Sequence, residues 1–220
     1  MELKGKKIVF LGDSITAGHG VEKPENRYVD RIASITGAIC KNFGIGGTRI
    51  AKQTIPSVSA HHDLDFISRV PDLDADSDVV VVFGGTNDWG HGDAKFGTFE
   101  DRDAYTFYGA LHTLYTMLTE KFPKSQIAVF TPLHRSTPNE LEPVTDADYA
   151  NKPQVLKDYV NAIREVAEYY SIPVLDLYKT SGIQPAIPVI KESYMPDGLH
   201  PNDEGHKLLA NRIVKFLETL

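Results

Sequence analysis

Four short strings in this 220-residue chain combine residue types that do acid–base or nucleophilic work with glycines that let a backbone turn sharply. The first, Gly12-Asp13-Ser14, directly follows an apolar run. Gly12 permits a tight exit from a strand. A serine hydroxyl placed there stands beside the backbone N–H groups that open a helix, where negative charge is favoured. Taken alone, the same string is equally well a helix cap supplied by Asp13 or Ser14. The second, Asn42-Phe43-Gly44-Ile45-Gly46-Gly47-Thr48, allows positive φ or close backbone approach, and by itself reads as a turn. In the third, Gly84-Gly85-Thr86-Asn87-Asp88, the Asn87 amide can donate toward a developing oxyanion; the ordinary alternative is turn chemistry. The fourth is Asp197-Gly198-Leu199-His200-Pro201. A carboxylate three residues before a histidine can hold one ring nitrogen, leaving the other to take a proton from a serine.

Each string is weak alone. As a set they supply a nucleophile, a base, an acid that orients the base, and oxyanion donors, which is what acyl transfer requires. That set works only if the fold brings distant segments to one edge.

Five apolar runs can do so: Ile8–Leu11, Ala38–Phe43, Val79–Phe83, Ile127–Phe130 and Val174–Leu177. Their continuity predicts strands buried on both faces of a parallel sheet. Between them, helical spacing of apolar residues covers Tyr28–Ile35, Tyr105–Phe122, the stretch containing Leu156, Val160, Ile163 and Val166, and Glu204–Leu217, with Asn202 as cap of the last. Alternating strands and helices predict a doubly wound α/β sheet with right-handed crossovers. All four strings then fall at carboxyl ends of strands or just before the final helix. Two long connections, Asp88 to about Asp103 and Leu133 to about Pro153, are expected over the same edge, where such folds bind ligands. A third, Lys179–Pro196, is proline-rich.

Composition narrows the function. The formal charge of −7 makes the chain a poor binder of phosphate backbones, so no nucleic-acid partner is expected. No apolar segment reaches bilayer-spanning length, so no membrane insertion is expected, and the chain reads as soluble and cytoplasmic. The single cysteine, Cys40, reads as a small buried hydrophobe. No repeat or linker divides the chain, so one domain over residues 1–220 is expected.

On Gly12-Asp13-Ser14, Gly47, Asn87 and Asp197-x-x-His200, in that order and over nearly its whole length, the chain resembles an SGNH hydrolase, the superfamily of GDSL-like esterases, lipases and acylhydrolases. The resemblance implies a three-layer α/β/α sandwich, flavodoxin-like, with a five-stranded parallel sheet. It also implies Ser14 as nucleophile, His200 as base and then acid, and Asp197 orienting the imidazole. Ser14 N–H, Gly47 N–H and the Asn87 amide would form the oxyanion hole, with no metal or organic cofactor. Gly46 is the alternative to Gly47 as donor. Ile15 stands where the family nickname has leucine, an apolar exchange without mechanistic weight.

Asp13, Trp89, His91, His134 and Tyr194 are the candidate substrate contacts. Trp89 and His91 would form a wall, with a packed loop as the alternative. His134 and Arg135 would meet a polar substrate group, against the commoner surface salt bridge. Tyr194 and Met195 would line one side. His61-His62-Asp63 lacks further metal ligands at suitable spacing and reads as a solvated loop or helix start. These residues suit a small-molecule or oligosaccharide ester, with acetyl groups on carbohydrate preferred. The alternatives are a lysophospholipase- or thioesterase-type acylhydrolase and a non-catalytic glycan-binding module on the same fold. A phosphate or nucleotide binder on this fold is a further alternative, but the chain has no Gly-rich phosphate loop with lysine and that reading has no use for Asp197-x-x-His200.

Overall fold

The apolar runs become a parallel five-stranded sheet in the computed structural model, which describes residues 1–144 and 153–220. The strands are β1 (Lys7–Gly12), β2 (Ile39–Gly44), β3 (Val79–Phe83), β4 (Gln126–Phe130) and β5 (Val174–Leu175), in the order β2-β1-β3-β4-β5. β1 lies between two partners, with Val9 opposite Lys41 on one side and Val80 on the other. β3 is buried at all five positions, and each fully buried Val or Phe there contributes roughly 1.5–3 kcal/mol.

Side chains alternate across the sheet and so build two cores. Val9, Leu11, Val80, Val82 and Val129 face α3 (Phe66–Arg69), α5 (Phe107–Lys121) and α6 (Leu156–Tyr169). Ile8, Phe10, Val79, Val81 and Phe130 face α2 (Tyr28–Thr36) and α9 (Asp203–Glu218). The three-layer α/β/α architecture follows directly, with the flavodoxin-like strand order. Shorter helices complete the chain: α1 (Ser14–Ala17), α4 (Thr86–His91), α7 (Leu177–Thr180) and α8 (Pro188–Tyr194). No helix among the described residues is long and apolar enough to cross a membrane.

Several expectations change. β2 is an edge strand exposed along part of its length, with Ile39 at 53% exposure, and Cys40 is only half-buried. Lys41 and Asn42 within that run explain why it tolerates an edge. β5 stops at Leu175, because Asp176 caps α7 by accepting from Lys179 N. The connection after Asp88 begins as the helix α4, and Lys179–Pro196 contains α8, with Pro188 in its first turn. Of the connection from Leu133 to Pro153, residues 145–152 lie outside the described residues.

In a doubly wound sheet, the crevice opens where successive crossovers leave in opposite directions. Here that point is between β1 and β3, since β2 lies on one side of β1 and β3 on the other. Ser14 follows β1 and Asn87 follows β3.

Candidate active site

Ser14 is placed by a cap and by a close approach. The Asp13 carboxylate accepts from Ile15 N at 2.9 Å and opens α1. The first intrahelical bond runs from Ala17 N to Asp13 O, so the Ser14 N–H precedes it and has no helical acceptor. Helix α1 then lies across the end of β2. Gly44 permits this, since a Cβ there would overlap the backbone of Thr16 and Ala17.

The turn after β2 closes with Thr48 N donating to Ile45 O. Gly47 sits at its third position with φ +75°, a type II geometry that favours glycine and leaves the Gly47 N–H outside the closing bond. Three contacts fix this turn. The Asn87 amide donates to Thr48 O at 2.9 Å, and the Asp88 carboxylate accepts from Ile50 N and Ala51 N. Arg69, buried on α3, donates to Phe43 O, Gly12 O and Thr48 Oγ1, tying both strand ends to the turn.

His200 arrives from the segment before α9, whose cap is Asn202, accepting from Gly205 N as the sequence suggests. Its Nε2 lies 3.0 Å from Ser14 Oγ and its Nδ1 2.7 Å from Asp197 Oδ2. The other Asp197 oxygen accepts from the backbone N–H groups of His200 and Leu199. Burial would raise the Asp197 carboxyl, but these bonds outweigh it and hold the group below its usual range. Burial lowers His200 below the ordinary imidazole value, and the Asp197 carboxylate opposes that only in part. The arrangement therefore presents a neutral imidazole to a hydroxyl, with its second nitrogen held by a carboxylate.

A cavity of about 370 Å³ opens over this relay. Ser14, Gly46, Gly47, Asn87 and Leu199 line it, together with Arg135 and five imidazoles, those of His19, His61, His62, His91 and His200. His91 therefore takes a wall position. His62 packs against Gly47, where any Cβ would meet its ring, and the His19 ring stands 4.2 Å from that of His200.

Four candidate contacts lie elsewhere. Trp89 is 1% exposed and belongs to the core between α4 and the sheet. His134 pairs with Glu140 at 2.6 Å and stacks on Tyr178, outside the cavity. Tyr194 packs against the α9 core, as does the fully buried Met195. Asp13 is buried beneath Ser14 as the cap, and burial raises its carboxyl to about 7. His61 and His62, read as a solvated loop or helix start, stand in a short helical turn, Ala60–Asp63, and line the cavity, while His19 and Arg69 were not legible as site elements. Of these last two, Arg69 carried a signal, as a cation inside the apolar string Phe66-Ile67-Ser68-Arg69-Val70.

His19, Asp197 and His200 bring ligand atoms within 4.8 Å of one another and are the described group best placed to hold a metal ion. Both His200 ring nitrogens are already engaged, by Ser14 and Asp197.

The model of the GDSL-like lipase/acylhydrolase family matches residues 10–208. An acetylxylan esterase of Xylanibacter ruminicola is 26% identical over 224 residues, which cover 96% of this chain and 43% of that protein. The chain thus spans less than half the length of that relative. Among solved structures, a protein from Lactobacillus plantarum superposes with a TM-score of 0.82 at 31% identity, over 98% of each chain. A lipase/acylhydrolase from Enterococcus faecalis superposes with a TM-score of 0.66 at 25% identity, covering 97% of this chain and 96% of that one. The order of its sequence strings, its strand order and this family match agree: the chain belongs to the GDSL-like lipase/acylhydrolase family, within the SGNH hydrolase superfamily.

Proposed function

We propose that the protein is a serine esterase that hydrolyses small acyl esters through an acyl-enzyme, with acetyl groups on carbohydrate as its substrates. The observation that carries the reading is the relay Ser14 Oγ–His200 Nε2, 3.0 Å, and His200 Nδ1–Asp197 Oδ2, 2.7 Å, at the mouth of a cavity.

In this mechanism Ser14 Oγ attacks the acyl carbon as its proton passes to His200 Nε2. The negative charge that gathers on the former carbonyl oxygen meets the Ser14 N–H, the Gly47 N–H and the Asn87 amide, all held before the substrate arrives. Collapse expels the alcohol, which takes the proton from His200. Water, activated by the same imidazole, then attacks the acyl-serine; the acid leaves and Ser14 Oγ regains its proton. Asp197 stabilises the imidazolium in both halves without taking its proton.

Two features favour small, polar substrates. Among the described residues the cavity lining holds one aliphatic side chain, Leu199, which is little surface for a long acyl tail. One relative in the family is named an acetylxylan esterase. The test is hydrolysis of p-nitrophenyl esters from acetate upward, beside acetylated xylo-oligosaccharides. Rates should fall as the acyl chain lengthens, and acetate should be released from the oligosaccharides. Activity confined to long-chain acyl esters would contradict the substrate assignment.

A further inference from the structure

The cavity beside Ser14 contains a buried cation that no carboxylate among the described residues contacts directly; the charges of Asp13, Asp197 and Glu140 reach it only from beyond 4.0 Å. Arg135 is 5% exposed and lines the cavity. Its guanidinium lies over the Trp89 ring, with Cζ 4.9 Å from the centroid. Nη1 donates to Thr86 Oγ1 at 3.0 Å, while Nε and Nη2 share Thr137 O at 3.2 and 2.7 Å. These acceptors are neutral. Among the described residues no carboxylate oxygen lies within 4.0 Å of the guanidinium, whereas buried Arg49 has Asp63 at 3.7 Å. Arg69 also lacks a described carboxylate within that distance, but its donors are committed to Phe43 O, Gly12 O and Thr48 Oγ1 and it stands outside the cavity. At Arg135, one Nη2 N–H finds no acceptor among the described residues, since that nitrogen carries two and makes one bond there.

A guanidinium taken out of water is costly unless a charge or a full set of acceptors meets it. When it lines the cavity that holds the nucleophile, the missing acceptor is one that a ligand can bring. The rest of the lining agrees: among the described residues no carboxylate side chain contributes to it, and its other titratable groups are imidazoles. This contrasts with a chain whose formal charge is −7. A planar fork of N–H donors matches a carboxylate better than a lone hydroxyl.

Building on the esterase reading, we propose that the substrate carries a carboxylate close to the scissile ester and that Arg135 binds it. The carboxylate can belong to the alcohol part, as in an acetylated uronic acid, or to the acyl part, as in a hemisuccinate. Arg135 is then the residue that sets specificity, and the neighbouring imidazoles supply further donors around the ester.

Two matched substrate pairs separate these sources. One compares acetylated methyl glucuronide with acetylated methyl glucoside. The other compares p-nitrophenyl hemisuccinate with p-nitrophenyl butyrate. In wild type the acidic member of one pair should have the higher kcat/KM by about tenfold or more, and that pair identifies which side carries the charge. The ratio should fall to near one in Arg135→Met and be kept in part by Arg135→Lys. A ratio cancels any general loss of rate from disturbing Thr86. Ratios near one in both wild-type pairs, or a preference unchanged in Arg135→Met, would overturn the proposal. Should Arg135→Met not fold, the wild-type ratios and Arg135→Lys decide it. Failure of wild type to hydrolyse any ester, p-nitrophenyl acetate included, would instead overturn the esterase reading, and this proposal with it.

Discussion

His200 stands between a hydroxyl and a carboxylate, and its burial keeps the imidazole neutral further into the acid range than a free histidine. Only the neutral ring can accept the Ser14 proton, so kcat/KM should rise with pH and level off by neutrality. Because the shift is downward, the inflection should lie below the ordinary imidazole value of 6.5. An inflection above 7 for p-nitrophenyl acetate would contradict His200 as the base. Asn87 offers a second test at this scale. Removing one oxyanion donor costs roughly 100- to 1,000-fold in rate, so Asn87→Ala should lower kcat by that factor. Wild-type kcat in that variant would remove Asn87 from the mechanism. The order of the strings carried Ser14, Gly47, Asn87, Asp197 and His200 to one edge, because strand ends of a parallel sheet converge there. It could not orient side chains on the intervening loops. Of the two readings of Trp89, wall or packed loop, the packed one holds; Arg135, read as a contact for a polar substrate group against a surface salt bridge, is buried and lines the cavity.

Elements position these residues through contacts between backbones. α1 rests on the end of β2 with no room for a side chain at Gly44. Gly44→Ala should therefore push α1 and Ser14 away from His200, lowering stability by about 1–3 kcal/mol and lowering kcat with it. Calorimetric unfolding beside p-nitrophenyl acetate turnover would check both; an unchanged Tm would show that the approach is not tight. The long elements were legible, since β3 and the helices α2, α5, α6 and α9 bury whole apolar runs or stripes. Helices of four to seven residues, such as α1, α3, α4, α7 and α8, are too short for periodicity to register. Edge exposure of β2 was missed because strand order is set by tertiary pairing, which an apolar run does not encode.

At the scale of the whole molecule, two buried titratable groups tilt stability in opposite directions. His206 is fully buried, accepts from Tyr28 N through Nδ1, and is lowered by burial to about 4. Its unfolded value is near 6.5, so the unfolded chain binds more protons between the two, and this stability is lost as pH falls from 6.5 to 4. Asp13 is raised by burial to about 7 from 3.8, so the folded chain holds the extra proton and its share of stability is lost as pH rises through that window. Asp13→Asn keeps an oxygen to cap α1 and removes the second slope. Between pH 6.5 and 4 its stability should fall more steeply than that of wild type, by up to about 1.4 kcal/mol per pH unit. Urea unfolding at several pH values measures this; a constant difference between variant and wild type would show that Asp13 is not raised.

The catalytic expectations depend on Ser14 being a nucleophile activated by His200. A fluorophosphonate reports that directly, because it bonds to an activated serine oxygen and stays there. Wild type should take up the phosphonyl group stoichiometrically on the peptide containing Ser14. Labelling should be absent in Ser14→Ala and strongly slowed in His200→Ala. An adduct on a different residue, or ester hydrolysis that continues in Ser14→Ala, would contradict the assignment.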